Sequence, residues 1–406
     1  MNTHIEPTAT RRKLRVAVVT ETYPPEINGV ARTVGLMVDA LLARGHDVQL
    51  IRPRQGSEPD SPANPVLRQR LVAGVPIPVY RDLRMGFVSR RSLQREWGQW
   101  RPDLVHVVTE GPLGWVAVAA AKHLGIPVSS DFHTNFHSYS RHYGFGVFTR
   151  VVARYLRTLH NRADCTLVPT AETKADLETL SFERVLVVGR GVDTRLFNPG
   201  HRSEALRAAW GCTDDDTVAL HVGRIAPEKN IGLFVEAAQG MRAIDPRVRV
   251  VLVGDGPRGA SLRARHPEFV FAGMRTGEDL AAHYASADVF LFPSTTETFG
   301  NVTLEAMASG LAIVAYDYAA ARQHLRHWVS GVLAPLGDTS EFIRMAALFA
   351  LGRKLRTRLG LEARRAAEAI TWDRVFDDLE RVLRRTAETA RGEVGGATRA
   401  SIHVET

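Results

Sequence analysis

Residues 14–51, LRVAVVTETYPPEINGVARTVGLMVDALLARGHDVQLI, decide the fold. An apolar, β-branched run from Leu14 to Thr20 has strand character, and a Pro/Gly loop follows from Tyr23 to Gly29. The spacing then predicts a helix over about Val30–Ala43, stopped at Arg44-Gly45-His46, and a second strand over Asp47–Ile51. Strand, loop, helix and strand in that order form a βαβ unit, whose parallel strands require a right-handed crossover. Working outward, strands are expected at 103–108, 127–131, 166–168 and 185–188, with helices at about 112–124, 145–161 and 171–180. A doubly wound α/β domain over residues 12–195 is the expectation.

At Thr217 the pattern restarts. TVALHV (217–222) reads as a strand, Gly223–Lys229 as a loop, about 230–243 as a helix, and 248–253 as the next strand before the turn Gly254–Pro257. Strands at 269–271, 289–292 and 312–315, with helices at about 277–285 and 301–309, complete a second Rossmann-like domain over 196–371. The segment GRGVDTRLFNPG, Gly189–Gly200, is the expected hinge. The fold class is therefore α/β, two doubly wound domains facing a central cleft at the carboxyl ends of both sheets, where such sheets bind ligands. Residues 1–11 and 391–406 are polar or Gly/Thr-rich without period and are expected to be disordered.

Composition narrows the class. With 406 residues, 45% hydrophobic and 24% charged, the chain can bury two large cores, and collagen, coiled coil and wholesale disorder are excluded. Its apolar runs fall far short of the ~20 residues that span a bilayer, and no apolar signal segment follows the basic start. Cys165 and Cys212 make neither a disulfide framework nor a four-ligand zinc site. These features predict a soluble, cytoplasmic protein. Net charge is +8, and residues 1–200 hold 26 Lys and Arg against 18 Asp and Glu, whereas the remainder is balanced. A one-sided excess of this kind points to an anionic partner: nucleic acid, a phosphorylated substrate or a membrane surface. No nucleic-acid motif is visible.

The densest chemistry lies in PSTTETFGNVTLEAMASG, Pro293–Gly310. A strand ends at Phe292 and a helix is predicted from near Gly300 to Ser309, so backbone N–H groups around Phe299, Gly300 and Asn301 should point toward an anion or sugar hydroxyls. Glu297 precedes that helix and Glu305 lies inside it, both expected on the cleft, although either could alone be a surface residue. In GRIAPEKN, Arg224 and Lys229 are expected at the cleft mouth, where two cations can hold a diphosphate. The matching loop of the first domain, YPPEINGVAR, offers a second helix N-terminus after Asn28-Gly29. In SSDFHTNFHSYSRHY, His133, His137 and His142 follow a strand end, and their spacing does not make a zinc site. His133 is the one expected to face substrate. Asp214-Asp215-Asp216 reads as a solvated turn.

Taken together, INGVARTV, DFHTNF, GRGVDTRLFNP, VGRIAPEKN, VGDGP, ADVFLFPSTTETFGNVTLEAMASG and WDRVFDDLE resemble glycosyltransferase family 4, retaining enzymes of the GT-B fold, over about residues 14–385. The likeness is strongest to bacterial members that put mannose, glucose or related sugars on lipid acceptors. It implies that Arg224 and Lys229 hold the donor diphosphate and that Glu305 bonds the ribose. It further implies that Glu297 contacts the transferred sugar, with Thr298, Phe299, Gly300 and Asn301 supporting sugar and phosphate. His133 would lie beside the anomeric centre, Gly29 would allow phosphate approach, and Met274-Arg275 would contact the base. The last helix, about 372–388, would cross back onto the first domain.

These implications predict a metal-independent glycosyltransferase without a cofactor, using a nucleotide sugar as co-substrate. GDP-mannose is favoured, a UDP-hexose or UDP-uronate next. The acceptor is expected to be a lipid or glycolipid, reached by peripheral docking on an anionic membrane. A helix at about 145–159 with apolar Phe145, Phe148, Val151, Val152, Tyr155, Leu156 and Leu159 and basic Arg150, Arg154 and Arg157 is one candidate for that docking. Other candidates are Arg68, Arg70, Arg81, Arg84, Arg90, Arg91 and Arg95. A sugar-nucleotide epimerase and a non-catalytic nucleotide-binding regulatory module are the rival readings. One departure bears on the donor sugar: where many relatives carry Gly-Gly and an acid, this chain has YDYAAARQHL, Tyr316–Leu325.

Overall fold

A computed structural model describes residues 12–26, 28–55, 66–76, 84–133, 147–213, 215–390 and 392. Arg81, His137, His142, Phe145 and Asp214 lie outside the described residues, as do residues 1–11 and, apart from Gly392, residues 391–406.

The first sheet has eight strands: β1 (Arg15–Val19), β2 (Asp47–Pro53), β3 (Arg68–Pro76), β4 (Arg84–Phe87), β5 (Leu104–Val107), β6 (Val128–Asp131), β7 (Cys165–Val168) and β8 (Val185–Val187). Their order is β4-β3-β2-β1-β5-β6-β7-β8, parallel throughout except for β4 against β3. The second sheet comprises β9 (Val218–Val222), β10 (Arg249–Val253), β11 (Val270–Gly273), β12 (Val289–Phe292), β13 (Ala312–Tyr316) and β14 (Val332–Ala334). Its order is β11-β10-β9-β12-β13-β14, and every pairing is parallel. In each sheet the chain reverses its direction of winding beside the first strand. That places one crevice between β1 and β5 and another between β9 and β12, both at carboxyl ends.

Helix α1 (Gly29–Ala43) starts where the Asn28 side chain accepts the Ala31 N–H at 2.8 Å. Its buried residues Ala31, Val34, Met37, Val38 and Leu41 recur at helical spacing and pack on β1 and β2. The same core receives the last helix, Trp372–Ala390, through Phe376, Leu379, Leu383 and Ala387. The last helix therefore crosses back onto the first domain, and the Val192–Thr371 bridge ties the two interdomain passages together. Burial of each large side chain there contributes about 1.5–3 kcal/mol, enough to fix the crossing.

Strands β3, β4 and β14 are absent from the sequence reading. β3, RQRLVAGVP, carries charge and Gly/Pro, β4 is a four-residue edge strand and β14 is three residues long, so none shows a strong apolar run. The helix expected over 145–161 spans Val147–His160. Its apolar stripe is divided: Leu156 and Leu159 are buried, whereas Val151 is 59% exposed and Tyr155 38%.

Candidate active site

The loops beyond β1, β5, β6, β9 and β12 surround a cavity of about 550 Å³. One wall carries Glu21, Asn28, Gly29, Thr109, His133 and Arg190; the other carries Gly223, Lys229, Glu297, Thr298, Phe299, Gly300 and Asn301. The walls meet where the Thr298 hydroxyl donates to the His133 carbonyl at 3.2 Å. Gly29 and Asn301 also approach closely, since a Cβ at Gly29 would stand 3.9 Å from Asn301 Nδ2.

On the second wall the backbone does most of the shaping. Gly300 holds φ 92° and ψ 63°, a left-handed turn that starts the helix Asn301–Ala308 and aims its free N–H groups into the cavity. Behind it, Gly254 at φ 127° lets the Gly254–Pro257 turn pass beneath the Gly223 loop, where a Cβ would lie 2.0 Å from the Gly223 carbonyl. Glu297 is bonded by Lys229 and by the Ser294 hydroxyl, 2.7 Å, and its carbonyl accepts the Tyr318 hydroxyl at 2.6 Å. Tyr318 belongs to the departing segment Tyr316–Leu325, so that segment braces the loop that carries Glu297.

Glu305 lies deeper than expected. It is 5% exposed, behind the cavity lining, where Arg32 of α1 reaches it across the domain boundary at 2.5 Å and Tyr284 donates at 3.0 Å. Burial raises its pKa above the usual carboxylate value, and the Arg32 guanidinium opposes that rise. Arg224 does not line the cavity beside Lys229; its guanidinium stands 3.3 Å from Glu228, a partner one helical turn along that draws it aside. Met274 is 51% exposed, and Arg275 is held by Asp279 at 3.0 Å and by the Ala272 carbonyl, so neither faces the cavity. Thus His133, Glu297, Gly29, Lys229, Thr298, Phe299, Gly300 and Asn301 come together, while Arg224, Glu305, Met274 and Arg275 stand outside this lining.

Several lining residues escaped the sequence reading. Arg190 sits in the motif taken as hinge; its Nη1 donates to the Gly189 carbonyl at 3.1 Å, and burial pulls its pKa below the ordinary value. Glu21 accepts the Leu113 N–H at 3.1 Å, and burial pushes its carboxyl upward. No cluster of His, Cys, Asp and Glu suited to a metal ion occurs among the described residues. No described helix is long and apolar enough to cross a membrane.

Residues 27–196 match the sequence profile described as Glycosyltransferase Family 4, and residues 216–349 match Glycosyl transferases group 1. Over 368 residues the chain is 36% identical to a GDP-mannose-dependent alpha-mannosyltransferase of Mycolicibacterium smegmatis, covering 90% of this chain and 96% of that one. It is 27% identical over 319 residues to an alpha-monoglucosyldiacylglycerol synthase of Streptococcus pneumoniae, covering 75% of this chain and 71% of that one. In fold it matches sucrose-phosphate synthase of Thermosynechococcus elongatus with a TM-score of 0.74 at 19% identity, over 92% of this chain and 99% of that one. Two parallel-sheet domains closing on one cleft are the GT-B architecture, and both halves of the sequence agree with it. The chain is a glycosyltransferase and belongs to glycosyltransferase family 4.

Proposed function

We propose that the chain is a metal-independent, retaining enzyme that moves mannose from GDP-mannose to a lipid-linked acceptor. The observation that carries this reading is the cleft: Lys229 and the helix start at Gly300-Asn301 on one wall, with His133 and Gly29 opposite. Departure of a nucleoside diphosphate builds negative charge, which an ammonium and aimed backbone N–H groups can stabilise without a metal. In this reading Arg224 joins Lys229 on the diphosphate once its contact with Glu228 opens. Glu305 takes the ribose after Arg32 yields, and Met274-Arg275 meet the base. Glu297 and His133 flank the hexose, supported by Thr298 and Phe299. Residues 12–195 with the crossover helix then hold the acceptor, and residues 196–371 hold the donor.

The likeness to a GDP-mannose-dependent relative supports the donor, and the likeness to a monoglucosyldiacylglycerol synthase supports a lipid acceptor. A UDP-hexose or UDP-uronate is the second donor reading, kept because the bulkier Ala319 and Ala320 stand where many relatives carry a glycine pair. The test is turnover with GDP-mannose, UDP-glucose and UDP-glucuronate, each with and without lipid extract, and NMR assignment of the product anomer. Retained configuration with GDP-mannose in excess chelator is expected. An inverted product, or turnover that only Mg²⁺ restores, overturns the reading; nucleotide release without acceptor would make the enzyme an epimerase. Peripheral docking at the cytoplasmic membrane face predicts co-sedimentation with anionic but not neutral liposomes, fading as salt rises.

A further inference from the structure

A file of buried polar side chains stands behind the ring of His133. Ser129 Oγ lies 2.8 Å from His106 Nδ1, His106 Nε2 lies 3.5 Å from Asp131 Oδ1, and Asp131 Oδ2 lies 3.4 Å from His133 Nε2. His106 and Ser129 are wholly buried and Asp131 is 7% exposed. The main chain of His133 is pinned separately, its N–H donating to Glu110 at 3.2 Å, with His160 behind Glu110 at 3.7 Å and Ser130 behind His160 at 2.9 Å. His133 is thus held both by its backbone and by one ring nitrogen.

We propose that Asp131 is a positioning residue that fixes His133 in its Nε2–H tautomer and leaves Nδ1 as the ring nitrogen turned to the sugar. The inference rests on the role given above to His133. A carboxylate only accepts, so each imidazole facing it must present an N–H. His106 then carries its proton on Nε2, and its Nδ1 accepts from the Ser129 hydroxyl, which closes the file without a conflict of donors. Burial pushes the Asp131 carboxyl up, but the facing rings of His106 and His133 more than offset this and hold it well below the usual carboxylate range. The buried Arg190 guanidinium at the cavity adds a further cation that keeps Asp131 anionic. With Nε2 engaged, Nδ1 carries a lone pair and accepts a hydrogen bond from a hexose hydroxyl. Separations of 3.4–3.5 Å are long for hydrogen bonds, and the buried Nε2 atoms of His106 and His133 have no nearer partner among the described residues.

Two measurements on the full chain test this. The first is ¹⁵N NMR of histidine-labelled protein above pH 8, with the His133 signals assigned by their loss in His133→Ala. Protonated Nε2 is expected, and protonated Nδ1 overturns the proposal; no altered Asp131 is needed for this result. The second is kinetic. Asp131→Asn keeps the shape but can offer an amide N–H to Nε2, and turnover should fall about 10²–10⁴-fold with the affinity for nucleoside diphosphate unchanged. In a His133→Ala background the same change should cost nothing more. Full turnover of Asp131→Asn beside an inactive His133→Ala, or an equal loss in both backgrounds, overturns the proposal. Full turnover of His133→Ala instead removes the role of His133 itself, a distinguishable result.

Discussion

The two walls of the cleft are built from different materials. On the first, the ring of His133 is backed by ionisable side chains, with Asp131, His106, Glu110 and His160 all inside the sheet's carboxyl end. On the second, a left-handed glycine, a helix start and a short loop do the positioning, and charge enters only through Lys229 and Glu297. The contrast extends to the histidines. His46, His106, His133 and His160 of the first domain each lie within 4 Å of a carboxylate, whereas the buried His221 and His324 of the second have no carboxylate that close among the described residues. In the proposed function, side chains would fix the reacting group on one side and backbone the charged leaving group on the other. The first wall should therefore be sensitive to isosteric change, and the second to loss of charge.

The largest effect is expected at Lys229 and Glu297. With Lys229 on the donor diphosphate as proposed, Lys229→Ala takes a cation from charge that develops in the transition state, and turnover should drop about 10²–10³-fold. Glu297→Ala should lower turnover comparably while GDP binding changes little, because Glu297 is assigned to the sugar. Steady-state kinetics with calorimetric titration of GDP separates the two. If Glu297→Ala lost affinity rather than rate, the second wall would be a binding surface only.

A smaller effect is expected one layer back, at Glu305. Losing a charged hydrogen bond to the ribose costs roughly 1.5–3 kcal/mol, so Glu305→Ala should weaken GDP about ten- to a hundredfold. Arg32 and Tyr284 hold that carboxylate. An unchanged affinity in folded Glu305→Ala would mean that the Arg32 pair persists with donor bound and that the carboxylate only joins the domains.

The contrast between the walls also governs what could be read from sequence. The second wall lies within one stretch, Pro293–Gly310, where strand end, glycine and helix follow each other, so Glu297 and Thr298–Asn301 were legible from local pattern. The first wall draws on residues 21, 109–110, 133 and 190, brought together only by the parallel order β1-β5-β6-β7-β8. Asp131 and Arg190 both sat inside quoted motifs, yet strand pairing is what sets Asp131 against His106. Glu305 is expected on the cleft from its place in a helix and Arg224 from its place at a loop tip, and neither signal says which partner claims the side chain. Here Arg32 and Glu228 claim them.

A modest, graded effect is expected with pH. Burial lowers the pKa of His324 to about 4 and that of His221 to about 3, from 6.5. The unfolded chain therefore binds protons more readily than the native one between pH 6.5 and those values. Stability should fall as pH falls through that window, at no more than about 1.4 kcal/mol per pH unit for each histidine. His324→Phe, which keeps a ring against Phe299, should flatten the curve between about pH 6.5 and 4, as read by urea unfolding, and leave the slope below pH 4 to His221. An unaltered slope would mean that His324 is solvated in the native state. Burial lowers the pKa of His46 in the same direction despite its Glu380 partner, so it adds to the same slope.

The smallest effect separates two ion pairs that cross between the domains. Arg32–Glu305 has one partner almost fully buried, so truncating Arg32 leaves an uncompensated carboxylate beside Tyr284. Arg322–Glu172, at 2.7 Å, has a half-exposed guanidinium that also bonds Asp317, and water can replace it. Exposed pairs of that kind contribute about 0.2–1 kcal/mol and weaken in salt. Arg322→Ala should therefore shift thermal unfolding by little and leave GDP affinity within about twofold at 0.5 M salt. Any loss it causes at low salt should vanish as ionic strength rises. A large, salt-insensitive loss of GDP binding in Arg322→Ala would show instead that the segment Tyr316–Leu325 acts on the donor through Tyr318 and the Glu297 loop, making it part of the second wall.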